Sequence, residues 1–415
     1  MLICLLMGSW QRTRSLRSAE GPLSPILRSY AAFVNNEGYS YESFLTKTRF
    51  VIKFSRWLRR KQIRLRDLTR EVGDDFLRSY SPHRSGDPTT LRQLLAWLRD
   101  KKMISDRALQ THERSDADML VQEYAAYLLR ERGLASTSID VYTSLAHRFL
   151  QRACANGRSD LRTLAAQAIR NFVIQEARRH RTSKGVSLLA TVLRSFLRFA
   201  HVRGYIDRPL VAAVPAVAHW SMGSIPKALP QTDVERVLAY SKRRRSPGGL
   251  RDRAILLLLA RLGLRARDVM LLELEDIDWD NACIHVCGKG RRERPVPLPH
   301  EVGQALAVYL QKGRPSSSCR RVFLRARAPW RGLATSYAIS IIVCRALKRA
   351  QVISQAHGAH QFRHALASSM LRRGAALTEI GQILRHRDPN TTRLYAKVDL
   401  TALRTVALPW PGTPR

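Results

Sequence analysis

The sequence predicts a mainly α-helical protein that carries one small antiparallel β-sheet in its last domain. Apolar residues recur at three- and four-residue spacing along most of the chain, as helices with one buried face require. Between Asp276 and Leu298 the period shifts, and "ACIHVCGKGRRERPVPL" reads as two short strands around a Gly-Lys-Gly turn. A third observation is the charge: Lys+Arg number 71 against 33 acids, a formal net charge of +38 over 415 residues. A folded chain with that excess repels itself unless a polyanion covers it, and nucleic acid is the best-suited cover. A membrane surface suits it less, because the basic residues are spread over the whole chain rather than along one amphipathic helix.

Taken in order, residues 1–24 read as an N-terminal tail. Its opening "MLICLLM" is too short to span a membrane and lacks a basic flank, and no other stretch reads as transmembrane. Residues 25–108 and 114–207 then resemble each other. "GYSYESFLTKTRFVIKFSRWL" from Gly38 aligns with "GLASTSIDVYTSLAHRFLQRA" from Gly133, and "LRDLT" at Leu65 with "LRTLA" at Leu161. "LRQLLAWLRDKKMI" from Leu91 aligns with "LRSFLRFAHVRGYI" from Leu193. Phe54, Phe76 and Trp97 thereby fall opposite Phe149, Phe172 and Phe199, the pattern of a duplicated four-helix unit. Residues 208–230, rich in proline and alanine, read as a linker. A new domain, 231–408, opens with "TDVE" at Thr232, whose Thr and Glu predict a capping box. Residues 409–415 are a tail. Six cysteines form no CxxC pair and no metal-ligand spacing; Cys283 and Cys287 alternate with apolar residues and are expected to be reduced core thiols, as in a reducing cytoplasm.

The chemistry concentrates in four short stretches of the last domain. In "ARLGLRARDVMLLEL", Gly263 ends one apolar helix and Arg265 opens the next, where its donors join the positive helix end to seat a phosphate; Asp268 can hold it there. Lys289 projects from the hairpin turn, in a "KGRR" run that also reads as a solvated basic turn. "HQFRHALASSMLRRG" places His360 and Arg363 three apart on a helix that Gly374 ends. In "LRHRDPNTTRLYAKVD", His386 precedes a turn, Asp388 and Pro389 start a short helix, and Tyr395 lies along it.

Two guanidiniums can hold both non-bridging oxygens of a phosphodiester under attack. A phenol with a reference pKa of about 10 becomes a nucleophile when cations stabilise its phenolate. A lysine can protonate the leaving sugar oxygen, and histidines can move protons. No carboxylate pair or metal-ligand cluster accompanies the set, so cofactors and metals are expected to be none. "GLRARDV", "GKGRRERPVPL", "HQFRHALAS" and "LRHRDPNTTRLYAKV", in this order and at these intervals, resemble the tyrosine recombinase (phage integrase) family over roughly residues 112–408. The resemblance implies SAM-like helical DNA-clamping domains followed by the catalytic domain. It makes Arg265 and Arg363 the phosphate ligands, Lys289 the general acid and His360 and His386 further pocket groups. Tyr395 would be the nucleophile that forms a 3′-phosphotyrosyl intermediate. Where the family often has glycine before the second histidine, this chain has Arg385.

The expected partners are double-stranded DNA and three further copies in a tetramer on two sites, with sister recombinases of a mobile element also possible. Two rival functions remain open at this level. One is a type IB topoisomerase-like enzyme that nicks and reseals; the other is a non-catalytic DNA-binding accessory protein.

Overall fold

The structure, a computed structural model, describes residues 20–80, 84–104, 115–153, 161–179, 182–217, 228–287, 293–354, 356, 358–386 and 388–398. By contacts the chain divides into two compact units, one of residues 1–61 with 222–415 and one of 62–221. The division falls inside the 25–108 block that the sequence sets apart.

The first unit begins with α1 (Leu27–Asn36) and α2 (Tyr41–Arg60), the latter capped by Ser40, whose hydroxyl accepts from the Ser43 amide. Gly38, between them, has φ +82, and a Cβ there would lie 2.2 Å from the Trp330 ring. Around this contact the Trp330 amide donates to the Glu37 carbonyl at 3.0 Å, and Arg331 grips the Glu37 carboxylate with two donors at 2.9 and 2.8 Å. The N-terminal helices thus belong to the same body as the last domain.

The second unit contains α3 (Arg70–Ser79), α4 (Asp87–Asp100), α5 (Asp116–Arg130), α6 (Ser136–Ala153), α7 (Ala166–Ala177) and α8 (Ser183–Val202). Helix α5 starts on a reciprocal cap, in which Ser115 and Asp118 each accept the other's amide proton. Helix α8 is apolar enough by length and composition to cross a membrane. Its Leu189, Val192, Leu193, Phe196 and Phe199 are instead buried in the helical core with Tyr124, Phe149 and Phe172. The Tyr124 hydroxyl, inside that core, donates to Ser195 at 2.9 Å. Buried Glu176 receives Arg148 and Arg152, both at 2.6 Å, and so ties α7 to α6. Along the chain the order helix, helix, 3₁₀ turn, helix, helix occurs twice, and the paired residues Phe54 and Phe149, Phe76 and Phe172, Trp97 and Phe199 are all buried. The first part of the expected linker is not loose. Leu210–Ala213 form a 3₁₀ turn, Val214 is buried in the helical core, and Arg194 donates to the carbonyls of Val214 and Pro215.

The first unit resumes with α9 (Gln231–Lys242), α10 (Pro247–Arg261) and α11 (Ala266–Leu271). Residues 254–260 on α10 are all buried, so this helix is the unit's centre, with α9 packed against it. The predicted cap at Thr232 does not form. Pro230 takes the cap position, and the Glu235 carboxylate is held by Arg261 at 2.6 and 2.9 Å instead. The sheet has three strands, β1 (Ile277–Asp278), β2 (Cys283–Cys287) and β3 (Glu293–Pro297), antiparallel in that order, with Ile284 opposite Val296. Ile284 and Val286 face the core, so the expectation of core thiols fails for Cys283, which lies half-buried on the other face as a free thiol. Helices α12 (His300–Val308), α13 (Ser336–Arg349), α14 (His360–Arg372), α15 (Leu377–Ile383) and α16 (Asn390–Arg393) complete the unit, and a 3₁₀ turn, Leu394–Val398, carries Tyr395. Helices α12 and α14 also pack on α10.

Glu176→Ala removes the acceptor of two charged donors and is expected to lower the unfolding free energy by about 2 kcal/mol, as such bonds are worth. Urea denaturation of the full chain measures it; a change within about 0.5 kcal/mol, as small as that of an ordinary surface substitution, goes against this account.

Candidate active site

Among the first unit's described residues Arg363, on α14, is the most deeply buried charge, 2% exposed. One end of its guanidinium donates to the Gly263 carbonyl and the other to the Leu384 carbonyl. Both acceptors lie at helix C-terminal ends, after α10 and after α15, where carbonyls lack intrahelical donors and carry partial negative charge. Gly263 has φ +57, and a Cβ there would lie 2.8 Å from Leu384 and 3.0 Å from Leu366, so glycine lets this turn close over the arginine. Burial first, and then the Arg265 cation, push the Arg363 pKa down to about 10. The arginine remains charged at neutral pH in a site with surplus positive potential.

Arg265 caps α11 and is half-buried. Its guanidinium donates to the Arg385 carbonyl at 3.3 Å. Asp268 acts one step away from the role the sequence suggests. It accepts from the Arg265 backbone amide at 3.3 Å and from the Arg385 guanidinium at 3.1 Å, rather than from the Arg265 side chain. Arg385 has φ +54, the left-handed conformation that glycine adopts without cost. Arg385 in this conformation adds a third guanidinium beside Arg265 and Arg363. Among the described residues Asp268 is the carboxylate paired within this group of three arginines.

His360 is the first residue of α14 and is exposed, whereas Arg363 one turn on is buried. The helix start is fixed by Gln361, which donates to the Gly358 carbonyl at 2.9 Å and accepts from Ser354 at 2.6 Å. Gly374, with φ +89, follows its end as expected. His386 Nδ1 lies 2.7 Å from the Thr392 hydroxyl, and its ring is parallel to Tyr395 within 5°, centroids 6.3 Å apart. Asp388 accepts from the Asn390 amide at 2.9 Å and so starts the last helical turn. Tyr395 is 2% exposed, packed on Ala367, Ile380 and Leu384. Burial raises its pKa and the Arg363 cation opposes that rise. Its hydroxyl meets a residue that the motif reading passes over: His364 Nδ1, at 2.9 Å. His364 stands one turn after His360, their ring centroids 4.8 Å apart. Burial and nearby cations push both His364 and His386 down to about 4.

The fold thus gathers Arg265, Arg363, His386 and Tyr395, with His360 at the rim beside His364. Lys289 lies outside the described residues. The hairpin also does something the cysteine spacing does not announce: it brings ligand atoms of Asp278, Cys283 and His285 within 4.8 Å of one another. The Asp278 carboxylate is engaged by Asn281, through the backbone amide at 2.9 Å and the side-chain amide at 2.8 Å, an arrangement a local turn accounts for.

Two outcomes follow. Arg385→Ala keeps the left-handed backbone and loses the Asp268 pair, whereas Arg385→Gly loses the pair and relieves the backbone. Arg385→Ala is expected to be less stable by about 1 kcal/mol in denaturant titration, the cost of a side chain at positive φ. The two histidines set a pH dependence. Above about 6.5, their ordinary pKa, they are neutral both folded and unfolded. Below it the unfolded chain binds protons that the folded chain refuses until about 4. Stability therefore falls as pH drops from 6.5 to 4, and thermal melts of wild type and His364→Asn should diverge least above that window.

Comparisons with known proteins show the family. Residues 227–401 match the family model described as the phage integrase family, and residues 121–204 match the phage integrase N-terminal SAM-like domain. A Sinorhizobium fredii (strain NGR234) protein named as an integrase/recombinase, y4rA, is 44% identical over 398 residues, 95% of this chain and 96% of that protein. Tyrosine recombinase XerC of Oceanobacillus iheyensis is 28% identical over 69% of this chain and 94% of its own. Among solved structures, the XerH recombinase bound to its difH substrate superposes with a TM-score of 0.55 at 17% identity, covering 71% of this chain and 90% of that one. A lambda integrase dimer on a core site gives 0.51 at 16%, covering 67% and 94%. With a near full-length relative and both family domains matched, the chain belongs to the phage integrase family, the tyrosine-type site-specific DNA recombinases.

Proposed function

We propose that the protein cuts and rejoins DNA strands through a covalent 3′-phosphotyrosyl intermediate formed on Tyr395, using neither metal nor ATP. The observation that supports it best is a buried phenol in the field of the Arg363 cation, in a pocket where the Arg385 guanidinium pairs with Asp268 and the Arg265 guanidinium has no carboxylate partner among the described residues. A phosphodiester entering this pocket supplies the missing negative charge, and Arg265 and Arg363 hold its non-bridging oxygens. Tyr395 attacks phosphorus and the sugar 5′-oxygen leaves. Lys289, by family resemblance, protonates that oxygen, and His360 and His386 complete the pocket. The phosphotyrosine ester keeps the energy of the broken strand, so no nucleotide cofactor is needed for rejoining.

The helical domain of residues 114–207 would clamp the duplex with the catalytic domain of 231–408, mostly through phosphate contacts, and the 25–108 block is read as its duplicate. The net charge of +38 makes such binding strongly salt-dependent. Relatives named as integrases favour a mobile-element role in the cell interior, and a tetramer on two sites is the expected working assembly. The tail, 399–415, which would dock on a neighbouring copy, lies outside the described residues.

A nicked suicide duplex built from the inverted repeats flanking the gene tests the chemistry. The wild type should leave a covalent protein–DNA band on a denaturing gel, and Tyr395→Phe should abolish it while still shifting the duplex. A wild type that binds the duplex without forming the band supports a non-catalytic accessory protein instead.

A further inference from the structure

We propose that His364 takes the phenolic proton of Tyr395 during attack, an assignment that rests on Tyr395 being the nucleophile. The imidazole Nδ1 is 2.9 Å from the Tyr395 hydroxyl, the distance of a formed hydrogen bond, and the two rings are tilted 60° with centroids 5.6 Å apart. His364 rides on α14 directly after Arg363, so the group that fixes the phosphate ligand also fixes the proton acceptor.

The other candidates near the phenol are engaged elsewhere. His386 lays its ring parallel to the Tyr395 ring and directs Nδ1 to the Thr392 hydroxyl. Asp268 accepts from Arg385 and the Arg265 amide. Arg363 has only donors. Among the described residues, His364 Nδ1 is the titratable nitrogen within hydrogen-bond distance of the phenol.

The groups facing His364 are His360 and Arg363 on its own helix, Tyr395 from the 3₁₀ turn, and His386 from the loop before α16. Burial and the neighbouring cations keep the imidazole neutral at physiological pH, so with its proton on Nε2 it presents a lone pair at Nδ1. A bound phosphodiester lowers the positive potential at this point and strengthens the base as substrate arrives. In the step, the Oη–H bond breaks and its proton goes to Nδ1. The Oη–P bond forms, the P–O5′ bond breaks, and O5′ takes a proton from the general acid. Rejoining runs in reverse, with the imidazolium returning its proton to Oη.

The test is single-turnover adduct formation by the full chain at saturating nicked duplex. His364→Asn keeps hydrogen-bonding capacity without a titrating nitrogen. It should slow the adduct by roughly 10²- to 10⁴-fold, as for loss of a general base, with unchanged gel-shift affinity. The wild-type rate should climb with pH from about 4, the imidazole's value without substrate, and level off before neutrality, and this rise should vanish in the variant. A duplex with a 5′-bridging sulfur needs no proton on its leaving group, so it should not rescue His364→Asn. Three results overturn the assignment: a variant rate within threefold of wild type, a variant faster than wild type (a restraining bond), or rescue by sulfur (leaving-group chemistry). Should the variant fail to fold, a wild-type rate independent of pH between 4 and 7 overturns it alone. If the wild type forms no adduct that Tyr395→Phe removes, the nucleophile reading has failed first.

Discussion

The buried guanidinium of Arg363 is the constraint around which the catalytic unit is organised. A charge at 2% exposure is tolerable only when its donors are filled and its field is partly offset. Here the offset comes from the carbonyl ends of α10 and α15, so one side chain holds two turns that are 121 positions apart in the chain, Gly263 and Leu384. Those turns carry Arg265 on one side and Arg385 with His386 on the other. Placement of Arg265 and Arg385 is thus a consequence of satisfying one buried cation.

Carbonyl dipoles lower the cost of burying Arg363 without cancelling its charge. Asp268 is shared between an amide and Arg385, so net positive potential persists around the phenol. Burial first, and that field second, hold His364 and His386 unprotonated at neutral pH, so neutral imidazoles stand beside the guanidiniums. A pocket with this surplus of positive charge suits an anion.

Much of this was legible in the sequence because the signals are local. Gly263, Gly374 and the Asp388 turn mark element ends, and each lies where its backbone chemistry requires. What was not legible depends on distant partners or on facing. His364 is ordinary until a tyrosine 31 residues away reaches it, and Arg385 looks like a surface residue until Asp268 is placed beside it. The Thr232 capping motif is locally sound, yet Arg261 claims its glutamate. Alternation in β2 tells that Cys283 and Ile284 point oppositely but not which one meets the core.

The contact of Gly38 with Trp330, braced by Glu37 and Arg331, has a practical consequence for anyone shortening the chain. A fragment begun at residue 114 would strip an indole of its cover and leave an arginine fork without its carboxylate. Helices α1 and α2 are part of the same compact unit as the last domain, so a cut between them and that domain removes one of its walls.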